Sequence, residues 1–393
     1  MSHIAFENVD IVFGEAQKNA LAKLDQGGTR DEILKSTGAV IGVAGASLTV
    51  EEGEICVLMG LSGSGKSTLL RAVNGLNKVA RGKVMLKHRG TMVDIATIDA
   101  DTLRAVRTES VAMVFQQFAL LPWRTVKDNV GFGLELKGMG KAERDTIVDQ
   151  KLKMVQLDPW AQKYAHELSG GMQQRVGLAR AFATDASLLL MDEPFSALDP
   201  LIRTKLQDEL LSLQKNLKKT ILFVSHDLDE AMKLGNRIAI MEGGRIVQWG
   251  TPEDIILRPA NDYVAEFVAH MNPLNVVRAR SIVRPLATCA HEGSRYFIDD
   301  ERKASITIDA TGKPLSAMID GVEAPLLQIE ADGVIPNNAK HGIAIASPDI
   351  TLKTAIALRQ TCGHGLGLID DQGRLIGLCD DSDIFSGLLR EKR

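Results

Sequence analysis

The sequence predicts an α/β fold built on a largely parallel sheet, followed by a smaller second domain. Three observations carry that expectation. Ile55-Cys56-Val57-Leu58-Met59, Leu188-Leu189-Leu190-Met191 and Ile221-Leu222-Phe223-Val224-Ser225 are short, almost wholly apolar runs. Such runs fit strands buried on both faces, as in parallel sheets. Helical patterns over 67–74, 141–155, 170–184 and 202–216 alternate with them, which is the order of an α/β sheet. Near Asn272-Pro273-Leu274-Asn275 the texture changes to short strands mixed with turns such as Asp371-Gln372-Gly373. A chain of 393 residues is also too long for one comfortable core. The expected domains are therefore 1–272 and 273–393.

Ahead of the first apolar run, Ile4 to Phe13 alternates and is rich in β-branched and aromatic residues, which suggests a strand. Two short helical patterns follow. The second opens with Thr29-Arg30-Asp31-Glu32, a capping-box spelling, and ends at Gly38. The bulk composition is ordinary: 45% hydrophobic, 24% charged, formal net charge −4. With a pI near 6.1 there is no basic stripe to recruit nucleic acid. Cys56, Cys289, Cys362 and Cys379 show neither CxxC nor zinc spacing, so neither disulfides nor a structural zinc is expected. Met1 to Glu7 lacks the basic-then-apolar pattern of a signal peptide. No apolar run approaches the ~18 residues that cross a bilayer. The expectation is a cytosolic chain.

Three motifs carry chemistry. Gly60-Leu61-Ser62-Gly63-Ser64-Gly65-Lys66-Ser67 fits G-x4-G-K-[ST] between a buried run and a helical pattern, the context that motif requires. Its glycines let the backbone curl so that amides point at phosphate oxygens, and the next helix adds its positive end. Residues 60–68 are thus the expected ATP site: Gly60, Ser62, Gly63, Ser64, Gly65 and Thr68 around it, with Lys66 on the β- and γ-phosphates and Ser67 on Mg²⁺. Leu188–Met191 deliver Asp192 at a strand end, where such enzymes hold Mg²⁺, and Glu193 follows as base or orienting group for attacking water. Taken alone, those two acids would read as a strand leaving the core. Leu168-Ser169-Gly170-Gly171-Met172-Gln173-Gln174 is a second amide cluster at a helix start, without a lysine. One nucleotide does not need two clusters from one chain. Ser169, Gly170 and Gly171 are therefore expected to close over ATP held by a second copy.

These motifs, in this order, resemble the nucleotide-binding subunits of ABC transporters over residues 1 to about 270. The resemblance implies a P-loop NTPase domain with a helical subdomain, and ATP hydrolysis coupled to transport. It gives Gln116, in Val114-Phe115-Gln116-Gln117, the sensing of Mg²⁺ and contact with the membrane partner, with Gln117 the alternative register. Asp199, in Ser196-Ala197-Leu198-Asp199, would couple the two sites of a dimer, and His226 would reach the γ-phosphate. Phe13 would stack on adenine, core packing being its other reading. The implied catalytic set is Lys66, Gln116, Glu193 and His226, and the implied metal set is Ser67, Gln116 and Asp192. The implied partners are a second copy, transmembrane permease subunits and, indirectly, a substrate-binding protein, with the chain at the cytoplasmic face of the membrane. Non-transport relatives carry either a long heptad coiled coil or two cassettes, whereas this chain has one P-loop and no such repeat.

A narrower resemblance follows from the Ala20–Gly38 insertion and the spellings at 59–65, 197–203 and 225–231. They are similar to the ATPases that import glycine betaine, proline and choline. Trp123, in Leu121-Pro122-Trp123-Arg124-Thr125-Val126, leans the expectation toward choline; import of another solute is the alternative. Residues 365–384 resemble the end of a CBS module, two strands across a glycine turn and then a helix. Asp383 matches an acid that binds ribose there, while Asp380 replaces the usual Thr or Ser and would repel phosphate. The implied C-terminal domain is a degenerate CBS-like regulatory or dimerisation domain.

Overall fold

The computed structural model describes residues 2–269, 271–329 and 342–389. The chain forms two compact units, Met1–Thr251 and Pro252–Arg393. In the first, β1 (Ser2–Phe13) is followed by α1 (Gln17–Asp25), α2 (Arg30–Thr37) and β2 (Val40–Glu51). The capping box forms as spelled. Thr29 Oγ1 accepts the Glu32 amide at 3.3 Å, and Glu32 Oε2 accepts the Thr29 amide at 2.8 Å. Gly38 closes α2 in the left-handed region at φ 70°. The buried Ile33 fastens this helical pair to Val12, Leu24 and Ile41.

Next come β3 (Ile55–Met59), α3 (Lys66–Ala72), β4 (Arg81–His88), β5 (Thr91–Asp94), α4 (Ala100–Ala105) and β6 (Val111–Val114). A helical stretch of α5 (Val126–Leu136), α6 (Lys141–Met154) and α7 (Gly170–Ala183) precedes β7 (Leu188–Asp192). The unit ends with α8 (Pro200–Leu217), β8 (Thr220–Val224), α9 (Leu228–Leu234), β9 (Arg237–Glu242) and β10 (Arg245–Gly250). One sheet runs β10-β9-β3-β8-β7-β6, parallel throughout except for β10 at its edge. Every residue of β3, β7 and β8 is buried, as their apolar runs require. The other sheet, β2-β1-β4-β5, is antiparallel; of these strands only β1 was expected. The core lies between the sheets, with Ile4, Ile11 and Leu48 on one side and Leu58, Leu190 and Leu222 on the other. Adjacent β3, β8 and β7 thus end side by side, which places the residues after them at one edge of the parallel sheet.

The second unit begins at Pro252, whereas the change in texture placed a boundary after 272. The helices α10 (Pro252–Leu257) and α11 (Asp262–Val268) lie between those two positions. After β11 (Arg284–Pro285) comes an antiparallel meander: β12 (His291–Glu292), β13 (Arg295–Phe297), β14 (Ala304–Ile308), β15 (Pro314–Ile319) and β16 (Val322–Ala324). A second sheet, β11-β20-β19-β18-β17, is built from β11, β17 (Leu326–Ile329), β18 (Ile343–Ala346), β19 (Leu366–Ile369) and β20 (Leu375–Cys379). With α12 (Leu352–Cys362) and α13 (Asp381–Leu389), the order from β18 is strand, helix, strand, strand, helix. The expected hairpin and helix are both there.

The two acids singled out in this unit have other partners than those expected. Asp383 is fully buried, lying 3.3 Å from Arg284 Nε and accepting the Asp380 amide at 2.8 Å. The Asp380 carboxylate takes Arg284 Nη2 at 2.8 Å and the Ser382 hydroxyl at 2.7 Å. Burial raises the Asp380 pKa, but Ser382, the Asp383 amide and Arg284 together hold it below the usual carboxylate range. The Asp380 charge expected to repel phosphate is partly offset by Arg284, which it shares with Asp383, and Asp383 itself is buried in the interior of the unit. Among the described residues, no helix is long and apolar enough to cross a membrane.

Candidate nucleotide site

The 60–68 loop turns as its glycines allow. Gly60, Gly63 and Gly65 have φ of 140°, 78° and 101°, values that L side chains resist. At Gly60 a Cβ would stand 2.1 Å from the Met241 carbonyl, and at Gly65 2.4 Å from that of Gly42. Lys66 is buried behind the loop, its Nζ donating to the carbonyls of Gly60 at 2.8 Å and Leu61 at 3.0 Å. Burial lowers its pKa below the ordinary lysine value, while Glu193 and Asp192 pull the other way. Ser64 is buried beside Lys66, and Ser62 is exposed at the loop tip.

Asp192, fully buried at the end of β7, accepts the Ser67 hydroxyl at 2.7 Å and Arg71 Nη2 at 2.8 Å. Glu193 follows with φ 50°, a strained conformation for a side-chain-bearing residue. Its neighbours hold it there. Its amide donates to Val224 at 3.1 Å, and its carbonyl accepts Gln174 Nε2 and Ser196 Oγ, each at 3.0 Å. Its carboxylate receives Gln116 Nε2 at 3.2 Å and lies 3.4 Å from His226 Nδ1. Of the two adjacent glutamines, Gln116 is the one that reaches it. Lys66, Ser67, Gln116, Asp192, Glu193 and His226 therefore converge. The ring of Phe13, 41% exposed, lies at the same end with Thr68: a Cβ on Gly42 would sit 2.8 Å from Phe13 Cε2 and 2.9 Å from the Thr68 methyl.

Ser169, Gly170, Gly171 and Asp199 are arranged differently. Ser169 Oγ caps α7 by accepting the Met172 amide at 3.4 Å, and Asp199 caps α8 by accepting the Ile202 amide at 3.0 Å. Among the described residues none of the four is hydrogen-bonded to the Lys66 cluster. The link runs through Gln174, fully buried on α7. Besides holding the Glu193 carbonyl, it accepts the Ala197 amide at 3.0 Å. Gly171 is small where a Cβ would meet the Ala197 carbonyl at 3.0 Å.

The motif reading missed Arg71 and Gln174. Arg71 lies four residues after Ser67 on one helix, so helical spacing could have placed both on Asp192. No local signal marks Gln174, whose two partners come from a distant loop.

Residues 43–196 match the family model described as ABC transporter. The chain is 51% identical over 398 residues to the glycine betaine/proline betaine transport system ATP-binding protein ProV of Escherichia coli K12, covering 99% of this chain and 98% of that one. It is 44% identical to the glycine betaine/carnitine transport ATP-binding protein GbuA of Listeria monocytogenes, with the same coverage of 99% and 98%. Among solved structures, the dimeric post-hydrolysis state of the ATP-binding cassette MJ0796 bound to ADP and Pi is 30% identical, with a TM-score of 0.55, over 63% of this chain and 98% of that one.

Proposed function

This chain belongs to the ATP-binding subunits of ABC transporters, and from that premise we propose that it powers uptake of a quaternary amine, a betaine or choline, across the cytoplasmic membrane. The observation that carries the reading is the reach of the similarity. Half the residues are shared along 99% of the chain with a betaine-transport subunit, so the likeness includes the C-terminal unit as well as the general ATPase.

Lys66 holds the β- and γ-phosphates, and the amides of residues 62–68 cradle them. Ser67, Asp192 and Gln116 offer oxygen donors, the set that a hard cation such as Mg²⁺ prefers; when bound, Mg²⁺ would neutralise phosphate charge. Glu193 orients the attacking water and accepts its proton. Gln116 donates to one Glu193 carboxylate oxygen and His226 stands beside that same oxygen, so the carboxylate is oriented before ATP arrives. Phe13 supports the adenine.

Ser169, Gly170 and Gly171 serve the ATP of a second copy, and Asp199 carries the state of one site toward the other. Support comes from the lack of a hydrogen bond between them and the Lys66 cluster among the described residues and from the dimeric state of MJ0796. A cleft of about 380 Å³ lined by Phe115, Ala119, Leu121, Phe132 and Arg180, near the exposed Trp123, suits a permease helix. Permease subunits would hold the chain at the cytoplasmic face, and residues 273–393 would act as a CBS-like regulatory or dimerisation domain. The test is ATP hydrolysis by the assembled transporter with its binding protein, comparing choline, glycine betaine and carnitine. Stimulation by one or more is expected. Stimulation by none would leave the ATPase standing and remove the quaternary amine.

A further inference from the structure

The inserted pair α1 and α2 reaches the phosphate loop through one side chain. Arg30 Nη1 donates to the Gly63 carbonyl at 3.0 Å, across 33 residues of sequence. Gly63 belongs to a tight turn in which the Ser64 amide donates back to the Leu61 carbonyl at 3.2 Å. Arg30 is also out of place by local rules. It is the first residue of α2, where the positive end of a helix disfavours a cation. Two supports flank it: the Thr29–Glu32 capping box on one side and the fully buried Ile33 on the other. A residue that breaks a local preference while its neighbours fix it in place marks a functional position.

We propose that Arg30 is a positioning residue for the ATP phosphates. A guanidinium on the Gly63 carbonyl is a charge-assisted hydrogen bond, about twice as strong as a neutral one. It holds the Leu61–Ser64 turn in the shape that presents the following amides to phosphate. It also places a positive charge behind a loop whose ligand is strongly anionic. Lys66 acts from within the loop and Arg30 from outside it, so the insertion takes part in nucleotide binding. The inference rests on ATP binding at residues 60–68 and is independent of which solute is carried.

The test uses the full-length chain, with Arg30→Ala, Arg30→Lys and Arg30→Gln assayed over a range of ATP concentrations and melted in parallel. Arg30→Ala is expected to raise KM for ATP by up to about tenfold, the ceiling set by one charged hydrogen bond, because the bond exists before ATP binds and acts by preorganising the turn. Its kcat should stay within about twofold of the parent, as for a binding contribution made equally in ground and transition states. Arg30→Lys should recover most of the loss, and Arg30→Gln little of it. A KM within about twofold of the parent in Arg30→Ala, or a lowered melting temperature without a change in KM, overturns the proposal. If Arg30→Ala does not fold, the Lys and Gln variants read the same contrast.

Discussion

Two buried aspartates, one in each unit, pair with an arginine, one through a hydrogen bond and the other through charge alone. Asp192 takes Arg71 at 2.8 Å and the Ser67 hydroxyl at 2.7 Å. Asp383 has Arg284 at 3.3 Å and takes the Asp380 amide at 2.8 Å. What surrounds each pair differs. Beside Asp192 stand a glycine loop with left-handed residues and a strained glutamate held by Gln116 and His226. Beside Asp383 the other acids are turned on the unit's own cations: Asp380 on Arg284 and Asp381 on Arg359 at 2.5 and 2.8 Å. A buried carboxylate–arginine pair of one kind thus sits inside a phosphate-loop cluster in the first unit and inside a set of internal ion pairs in the second.

Glu193→Gln breaks the catalytic side of that comparison with the largest effect. The amide oxygen can still accept from Gln116, so ATP binding should be retained. A group that takes the proton of attacking water is lost, and turnover should fall by about 10²–10⁴-fold. ATP-bound dimer should then accumulate, visible by size-exclusion chromatography. A variant that binds ATP fully yet stays monomeric would remove the second-copy role assigned to Ser169, Gly170 and Gly171.

Arg284→Ala acts on the other side. Burial works against the Arg284 charge, but Asp383 and Asp380 outweigh it and hold its pKa above the usual value. Removing it leaves Asp383 buried without its cation, which costs about 3 kcal/mol. Unfolding of the C-terminal unit should shift by that amount while the KM for ATP stays within about twofold. A shift under about 1 kcal/mol would mean that Asp383 never depended on the pair.

These contrasts also explain how much was legible in the sequence. The three apolar runs announced β3, β7 and β8 because strands buried on both faces leave no room for polar residues. Their ends then located Lys66, Asp192 and His226 together. The strand β2 passed unnoticed because Gly42, Ala44, Gly45 and Ala46 interrupt its alternation; Gly42 is small where Phe13 and Thr68 approach. The capping box at Thr29 was readable because both partners lie within four residues. Its neighbour Arg30 was not, since Gly63 is distant in sequence, and the same holds for Gln174. In the C-terminal unit, one hairpin and helix could be read, but short strands of two to six residues gave the meander no periodicity to detect. The opposite roles of Asp192 and Asp383 depend on what surrounds each pair, and the pairs themselves were hidden because no motif names Arg71 or Arg284.

Glu230 sharpens the comparison from a third direction, with the smallest effect. It is 8% exposed and is held by neutral groups, the Ser225 hydroxyl at 2.5 Å and the Gln207 amide at 3.0 Å. Burial pushes its pKa above the ordinary 4.5, more than those hydrogen bonds lower it. For a carboxyl raised in the folded state, the stabilising contribution is complete below the unfolded pKa and is lost as pH rises through the folded one. At neutral pH the ionised Glu230 therefore weakens the fold, where Asp192 and Asp383 have a guanidinium within 3.3 Å and Arg203 acts on Glu230 only through its charge, without a hydrogen bond. Glu230→Gln stays neutral at every pH, and its amide can donate to Ser225 while its oxygen accepts from Gln207. It should melt above the parent at about pH 7.5, and the gap should close as pH falls toward 4.5. A gap that stays constant between those pH values would show that Glu230 is solvated well enough to need no cation at all.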